Sequence, residues 1–253
     1  MKINYRFAFI SLLALSLVSA WGDPPAAPAP LKVGVTPNFP PMIYKEDDQL
    51  AGVEVDFANA LGKALGRPVQ FVELDWSDEI PALADGRTDI IMSSMSITLA
   101  RQIRVAFAQP YMEVGQTALV RREDLGKFAL GFPVDPKGAI GVLKATTGDF
   151  LVQQEFPKNK RKTYDSPLDG AKALEKKRID MFICDSPTAL WLEGMNEEEG
   201  LVVVPVALTH ENLAWAVRRS DPGLLSSVNS ALDKMQADGS ALAIIKRWIP
   251  LYQ

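Results

Sequence analysis

Apolar and polar positions alternate along the chain with two different periods, which predict helices and strands in turn. From Val53 to Leu65 the apolar residues recur every three or four positions, and this predicts a helix that Gly66 closes. Further elements are predicted as strands at 31–35, 69–74 and 89–92 and a helix from 77 to 83. Units of ~20–30 residues that alternate in this way favour an α/β sheet with crossover connections, whose ligands lie beyond the carboxyl ends of the strands.

A second series with the same alternation begins near Ala139 and predicts a second unit. Its elements are a strand at 139–143, a helix after Thr147, a helix after Ser166 and a strand at 180–183. The chain then ends with two predicted helices, at 221–237 and 240–248.

Two short apolar strands, at 117–120 and 213–217, bracket the second series, and a pair of arginines directly follows each strand. We interpret them as crossings between two lobes. Lobe 1 is predicted at 31–119 and again at 213–253, and lobe 2 is predicted as the inserted segment 120–212. Two crossings without a long linker are typical of a hinge that closes on a ligand. The predicted fold class is therefore α/β, with two lobes and two crossover strands that form the hinge.

The first twenty residues, 1–20, predict a secretory signal peptide. Lys2 and Arg6 precede an apolar run at 7–18, and small residues follow at the expected cleavage site. This run is shorter than the ~20 residues that a bilayer-spanning helix needs, so a membrane anchor fits less well. A leader rich in Pro and Ala follows at 21–30, and the folded part is expected to begin at Leu31. We expect an exported protein.

Composition and charge exclude several classes of protein. Hydrophobic residues make up 47% of the 253 residues and charged residues 23%, unlike a disordered chain or a coiled coil. The single cysteine, Cys184, cannot form an internal disulfide. The formal charge is −4, and it becomes −6 when the signal peptide removes Lys2 and Arg6. Nucleic acid is therefore not an expected partner.

The sequence contains none of the GxSxG, Walker A, GxGxxG and HExxH motifs of common enzyme classes. His210 is the only histidine, which leaves no histidine cluster for a metal, and we interpret it as a surface residue. Cys184 follows an apolar run without a histidine to activate it, and we interpret it as a small core residue. No catalytic residue, metal or cofactor is predicted.

Polar residues follow the predicted strands in both lobes. Ser93–Thr98 follows the strand at 89–92, and Arg101 comes three residues later. Hydroxyls, backbone amides and a guanidinium fork suit a carboxylate ligand. In lobe 2, Ala145–Gly148 and Asp185 follow strands in the same way. A solvated capping loop would explain the hydroxyls of lobe 1 but not their recurrence, whereas a helix N-cap explains Asp185 equally well on the pattern alone.

With these residues the chain resembles the bacterial extracellular solute-binding proteins of family 3, the periplasmic receptors of polar amino acid ABC transporters. The most specific stretches are Gly52–Asp56, Asp75–Trp76, Ile80–Leu83, Ser93–Arg101, Pro110–Tyr111, Asp180 and Asp185–Pro187. The resemblance implies a type II periplasmic-binding-protein fold, a location in the periplasm and an amino acid ligand. It also implies a partner, the ABC transporter permease in the inner membrane, and a monomeric receptor.

The resemblance further implies how the head group of the amino acid is held. Arg101 would bind the α-carboxylate with help from Ser96 and the backbone amide of Thr147. Ser94 and Asp185 would bind the α-ammonium group.

At the side-chain end, Phe39 and Trp76 would stack on the ligand. Thr36 stands where many members that bind basic or amide side chains carry Asp. A buried cationic side chain needs a carboxylate partner, which Thr36 does not supply. Lys144, which precedes the turn containing Thr146, would repel a cation if it faced the cleft. We therefore predict a polar uncharged or acidic α-amino acid.

Two other functions are open at this point. Some relatives on this fold are dehydratases that act on cyclohexadienyl acids, and such a site needs a general acid beside the carboxylate clamp. Asp185 is the only acid that the sequence places there. A ligand-sensing receptor subunit is the other alternative, because the same cleft would serve it.

Overall fold

The computed structural model of the protein describes residues 28–132, 136–196 and 200–252. The predicted signal peptide and residues 21–27 of the predicted leader lie outside the described residues. The strands β1 to β14 are, in chain order, Leu31–Val35, Tyr44–Glu46, Gln49–Ala51, Val69–Glu73, Ile90–Ile91, Ala106–Phe107, Met112–Val114, Gln116–Arg121, Ala139–Leu143, Lys160–Tyr164, Met181–Asp185, Leu201–Val203, Glu211–Leu213 and Ala216–Val217. The helices α1 to α8 are Val53–Leu65, Glu79–Ala84, Leu99–Gln102, Thr147–Glu155, Pro167–Glu175, Ser186–Met195, Pro222–Ala237 and Ser240–Trp248.

Ten of these strands form two five-stranded sheets with the same plan. The first sheet has the order β4-β1-β5-β14-β6, and the second has the order β10-β9-β11-β8-β12. In each sheet three neighbouring strands are parallel, and the next strand is antiparallel to them. This antiparallel strand is β14 in the first sheet and β8 in the second, and each lies next to a place where the chain passes between the two units. We call the unit around the first sheet lobe 1 and the unit around the second sheet lobe 2.

Lobe 1 has its core between the first sheet and the helices α1, α7 and α8. Helix α1 ends at Gly66, whose φ of 63° is the left-handed conformation in which glycine commonly closes a helix. Its apolar face buries Phe57 and Leu61 completely. The ring of Phe57 lies 5.3 Å from the rings of both Tyr111 and Trp215, so aromatic contacts fix the centre of this core.

Lobe 2 is buried on both faces of its sheet. On one face Leu119 and Phe182 pack with helices α5 and α6, and on the other Ala118 and Ile183 pack in a separate cluster with α4. All four side chains are fully buried. Strands covered on both faces are near-continuous apolar runs, which is the pattern that the sequence shows here.

Strands β7 and β13 form a two-stranded antiparallel ribbon that connects the lobes, and we call it the hinge ribbon. The structure differs here from the predicted crossings. Strand β8 at Gln116–Arg121 is an inner strand of the second sheet, and β14 at Ala216–Val217 is an inner strand of the first. Their runs are apolar because the sheets bury them, and the ribbon itself is partly exposed. Lobe 2 therefore begins a few residues before the predicted position 120.

Candidate functional site

A cavity lies between lobe 1 and lobe 2, where strands of both sheets end. The space left inside it is small, about 20 Å³, so its walls lie close together. Leu143, Cys184 and Thr188 contribute to its lining. Eight of the ten predicted site residues also line it, namely Phe39, Trp76, Ser94, Ser96, Arg101, Thr146, Thr147 and Asp185.

The turn after β5 forms the lobe 1 wall. Ser94 has a φ of 57°, a left-handed conformation that is costly for a residue other than glycine. Its backbone N–H donates a hydrogen bond to Glu54 Oε1 at 2.7 Å. Glu54 is fully buried and also accepts hydrogen bonds from the Tyr111 hydroxyl and the Trp215 indole, at 2.7 and 2.9 Å. Burial raises the pKa of Glu54, and the three donors oppose that rise. This carboxyl holds the turn that presents Ser94 to the cavity.

Arg101 projects from the short helix α3. Its Nη1 donates to the backbone carbonyl of Ser96 at 2.8 Å, and its guanidinium carbon lies 5.1 Å from the ring centre of Trp76. Among the described residues this carbonyl is the only hydrogen-bond acceptor of the guanidinium, so further N–H donors are free for an anion. Burial lowers the pKa of Arg101, and the charges of Asp185 and Glu211 oppose the effect. The arrangement suits a carboxylate.

Asp185 faces the cavity from lobe 2. It occupies the N-cap position of helix α6, but its side chain makes no capping hydrogen bond to that helix. Instead, Gln116 Nε2 donates to Asp185 Oδ1 at 2.5 Å and to Thr147 Oγ1 at 3.1 Å. Burial raises the pKa of Asp185 to about 6, and the charge of Glu211 adds to the rise. A carboxylate desolvated in this way is stabilised by a cation.

Helix α4 begins at the cavity. The hydroxyl of its N-cap, Thr146, accepts the backbone N–H of Asp149 at 3.4 Å and donates to the carbonyl of Leu143 at 2.7 Å. The first helical residue is Thr147, and unpaired backbone amides with the positive end of the helix dipole favour an anion at this place. The N-terminus of α4 and Arg101 therefore offer donors to one cavity from opposite lobes.

An aromatic contact and hydrogen bonds between the lobes close the cavity at its aromatic end. Phe39 and Trp76 meet edge to face, with ring centres 5.2 Å apart. Trp76 Nε1 donates to the carbonyl of Ala145 in lobe 2 at 2.9 Å. Thr188 Oγ1 of lobe 2 donates to the carbonyl of Pro40 in lobe 1 at 2.9 Å. The lobes are thus in direct contact, as expected of a closed cleft.

The other two predicted site residues, Thr36 and Lys144, do not line the cavity. Thr36 is buried behind the wall, and its hydroxyl donates to Glu79 Oε1 at 3.0 Å. Lys144 is exposed. Thr36 is turned inward because Glu79 is the stronger local acceptor, and Lys144 stays in water because a lysine without a partner is costly to bury.

Three polar residues that organise the site were not predicted from the sequence, namely Glu54, Gln116 and Glu211. Glu54 carried a usable signal, because it occupies the apolar stripe of α1 three positions before Phe57. Gln116 begins a strand whose centre is apolar. Glu211 gave no such signal, since it stands in a polar segment.

His210 and Cys184 have the positions that the sequence predicted. His210 is exposed and lies 3.2 Å from Glu113 Oε1. Cys184 is buried, and burial raises the pKa of its thiol well above the ordinary value, which makes it a poor nucleophile. Within the described ranges no group of three or more His, Cys, Asp or Glu side chains could hold a metal ion. No helix in this part of the chain is long and apolar enough to cross a membrane.

Comparison with known proteins identifies the family. The sequence pattern of bacterial extracellular solute-binding proteins, family 3, matches residues 31–250. The chain is 29% identical over 219 residues to the L-cystine-binding protein TcyJ of Escherichia coli, covering 86% of this chain and 82% of that protein. It is 31% identical over 248 residues to the L-arginine-binding protein of Pseudomonas aeruginosa, covering 92% of each.

Among solved structures, the ancestral amino acid-binding protein AncCDT-1, a precursor of cyclohexadienyl dehydratase, matches with a TM-score of 0.78 and 34% identity, over 86% of this chain and 94% of that one. These similarities confirm the predicted two-lobed type II fold and the role of a non-enzymatic solute-binding protein of amino acid transport. The chain belongs to the bacterial extracellular solute-binding proteins, family 3.

Proposed function

We propose that the protein captures one α-amino acid in the cavity between its lobes. Arg101 and the N-terminus of α4 bind the α-carboxylate, and Asp185 with Ser94 binds the α-ammonium group. The observation that carries this proposal is the pair Arg101 and Asp185, one from each lobe, which line one cavity with opposite charges. A zwitterion neutralises both.

The ligand side chain is proposed to be polar and uncharged. The sequence leaves uncharged and acidic side chains open, and Lys144 is the only cation that it places at the side-chain end of the pocket. Lys144 is exposed and outside the lining. The remaining lining at the aromatic end is uncharged, with Phe39, Leu143 and Thr188 as examples. A side-chain charge buried there would lack a counter-ion.

We also propose that the receptor acts in the periplasm as a monomer and delivers its amino acid to the permease of an ABC transporter in the inner membrane. The predicted signal peptide at 1–20 supports export. The names of relatives, which include an ABC transporter arginine-binding protein of Escherichia coli, support the transporter as partner.

A thermal-shift screen against the twenty amino acids tests the proposal, because a ligand that binds only the native state raises the melting temperature. At least one amino acid with an uncharged polar side chain should raise it. Absence of any shift across the set would refute amino acid capture, and a shift with arginine or lysine alone would refute the side-chain class.

Arg101→Lys provides the site-directed test. Lysine cannot reproduce the bidentate guanidinium contact, so we expect the loss of ~1.5–3 kcal/mol of binding free energy, about ten- to a hundredfold in Kd. Titration calorimetry with the amino acid found in the screen measures it. Arg104→Lys is the matched control, because Arg104 is exposed two residues beyond α3. Equal binding by the Arg101 variant and the native protein would show that the carboxylate assignment is wrong.

A further inference from the structure

Glu211 lies immediately behind the cavity wall, on the first residue of strand β13 in the hinge ribbon. Its carboxylate accepts hydrogen bonds from Ser96 Oγ at 2.6 Å and from Thr209 Oγ1 at 2.8 Å. It lines an open groove that shares Trp76 and Arg101 with the cavity. A carboxylate thus stands beside the carboxylate-binding end of the cleft without belonging to the cavity lining.

The bond to Ser96 changes what this serine offers a ligand. A serine hydroxyl has a single hydrogen, and Ser96 donates it to Glu211. Toward the cavity the hydroxyl oxygen can therefore only accept a hydrogen bond. An anion at this place must take its donors from Arg101 and backbone amides, and it competes with Glu211 for Ser96.

Glu211 also sets the charge around the cavity. It interacts with both charged lining residues, since it raises the pKa of Asp185 and opposes the lowered pKa of Arg101. With Arg101 positive and both Asp185 and Glu211 negative, these three groups sum to one negative charge. A zwitterionic amino acid leaves that balance unchanged, whereas an acidic amino acid adds a second negative charge to a desolvated cleft.

Hydrogen bonds connect this carboxylate to both lobes. The backbone N–H of Gln116 donates to Thr209 Oγ1 at 2.9 Å, and the Gln116 side chain donates to Asp185. The chain of contacts therefore runs from Ser96 in lobe 1 through Glu211 on the hinge ribbon to Asp185 in lobe 2. Glu211 is fixed in the closed form and cannot turn away from an anionic ligand without breaking these bonds.

We propose that Glu211 is a specificity-determining residue that excludes acidic amino acids from the cleft. The inference rests on the proposed capture of an α-amino acid and adds the charge class that the receptor rejects. Glu211 acts through the field at the site and through Ser96, without contact to the ligand side chain.

The test compares isosteric ligands that differ in charge, glutamine with glutamate and asparagine with aspartate, by titration calorimetry. In the native protein the acidic member should bind at least about tenfold more weakly than its amide. Glu211→Gln should reduce this ratio about tenfold, because one full charge is removed near the site. Glu113→Gln is the matched control, since Glu113 lies on the partner strand of the same ribbon and is exposed. This control should leave the ratio unchanged.

Equal affinity of the native protein for an acid and its amide would overturn the inference even if the Glu211 variant did not fold. A Glu211→Gln variant that weakens both members by one factor would show a structural role only. If no amino acid binds the native protein, the proposed function fails. The effect of Glu211 on the site is then measured in the ligand-free protein. Carboxyl NMR should then show a lower apparent pKa for Asp185 in Glu211→Gln and no change in Glu113→Gln, and an unchanged pKa in both would reject the inference.

Discussion

Glu79 is a fully buried carboxyl behind the wall of the cleft, and its ionisation is costly. Its Oε1 accepts from the hydroxyls of Thr36 and Ser93, at 3.0 and 2.6 Å. Within the described residues its Oε2 has no hydrogen-bond partner, and neither has the nearby hydroxyl of Thr88. Burial raises the pKa of Glu79 to about 7, with a smaller contribution from the charge of Glu54. The neutral acid is the form that this site accommodates best.

The raised pKa makes stability depend on pH in a definite direction. The native state binds the proton more tightly than the unfolded chain, so the contribution is complete below the unfolded pKa of 4.5 and is lost as the pH rises through about 7. Glu79→Gln should therefore be more stable than the native protein above pH 7 by up to about 3 kcal/mol, and the difference should vanish toward pH 4. Urea unfolding at several pH values measures it. Glu73→Gln, at an exposed position, is the control, and parallel pH profiles for all three proteins would contradict the prediction.

Asp185 gives a pH dependence of binding rather than of stability. Its pKa of about 6 in the ligand-free protein means that protonation competes with an ammonium ligand below that pH. Affinity should be constant from pH 8 to 6.5 and should then fall by up to tenfold per unit as the pH decreases further. Calorimetric titrations across this range test it. An affinity that stays constant down to pH 5 would show that Asp185 does not bind the ammonium group.

At the scale of elements, sequence patterns located the main helices and the inner strands. Helices α1, α7 and α8 and strand β9 have the predicted bounds within one residue. The edge strand β10 was missed because Lys160–Tyr164 is exposed and rich in lysine, which is how an edge strand avoids further pairing. The hairpin of β2 and β3 was missed because Tyr44–Ala51 has little apolar periodicity.

The candidate site, like the secondary structure, was predicted from the sequence only where the signal is local. Residues that end buried strands or open helices were found, because turn chemistry is local and visible in the sequence. Glu54, Gln116 and Glu211 act through residues far away in the chain, and Glu211 meets Ser96 only because the hinge ribbon pairs beside it. Such contacts depend on tertiary packing, which local periodicity does not encode.

Helix α4 gives an element-level prediction, because its N-cap also shapes the cavity. Thr146→Ala removes the cap and the bond to the Leu143 carbonyl, and it should cost about 1 kcal/mol of stability. Ligand affinity should fall several-fold as well, because the amide of Thr147 is no longer oriented. Ser166→Ala is the matched control, since Ser166 caps α5 outside the cavity lining. Chemical unfolding with calorimetry should show lost stability in both variants and lost affinity only in the Thr146 variant. Equal ligand affinities of the two variants would show that the N-terminus of α4 does not contribute to binding.

At the scale of the whole molecule, the two sheets share one plan and are connected by the hinge ribbon and by contacts across the cleft. The charged groups of the site come from different lobes, Arg101 from one and Asp185 from the other. A ligand that touches both has full contact only in the closed form, so it shifts the population toward closure. The radius of gyration from small-angle scattering should decrease when the amino acid is added. An unchanged radius at saturation would argue against closure by ligand.

Trp76 allows the closed form to be tested through a single bond. Trp76→Phe keeps an aromatic ring in the cavity and removes the indole N–H that bonds the Ala145 carbonyl across the cleft. The loss of about 1 kcal/mol from the closed state should weaken binding about fivefold. Trp248→Phe removes an indole bond of similar length, 2.8 Å to Asp56, entirely within lobe 1. That control should lower stability and leave both affinity and the scattering change intact, because its bond is the same in open and closed forms. If the two variants lose affinity equally, the bond across the cleft makes no special contribution to closure.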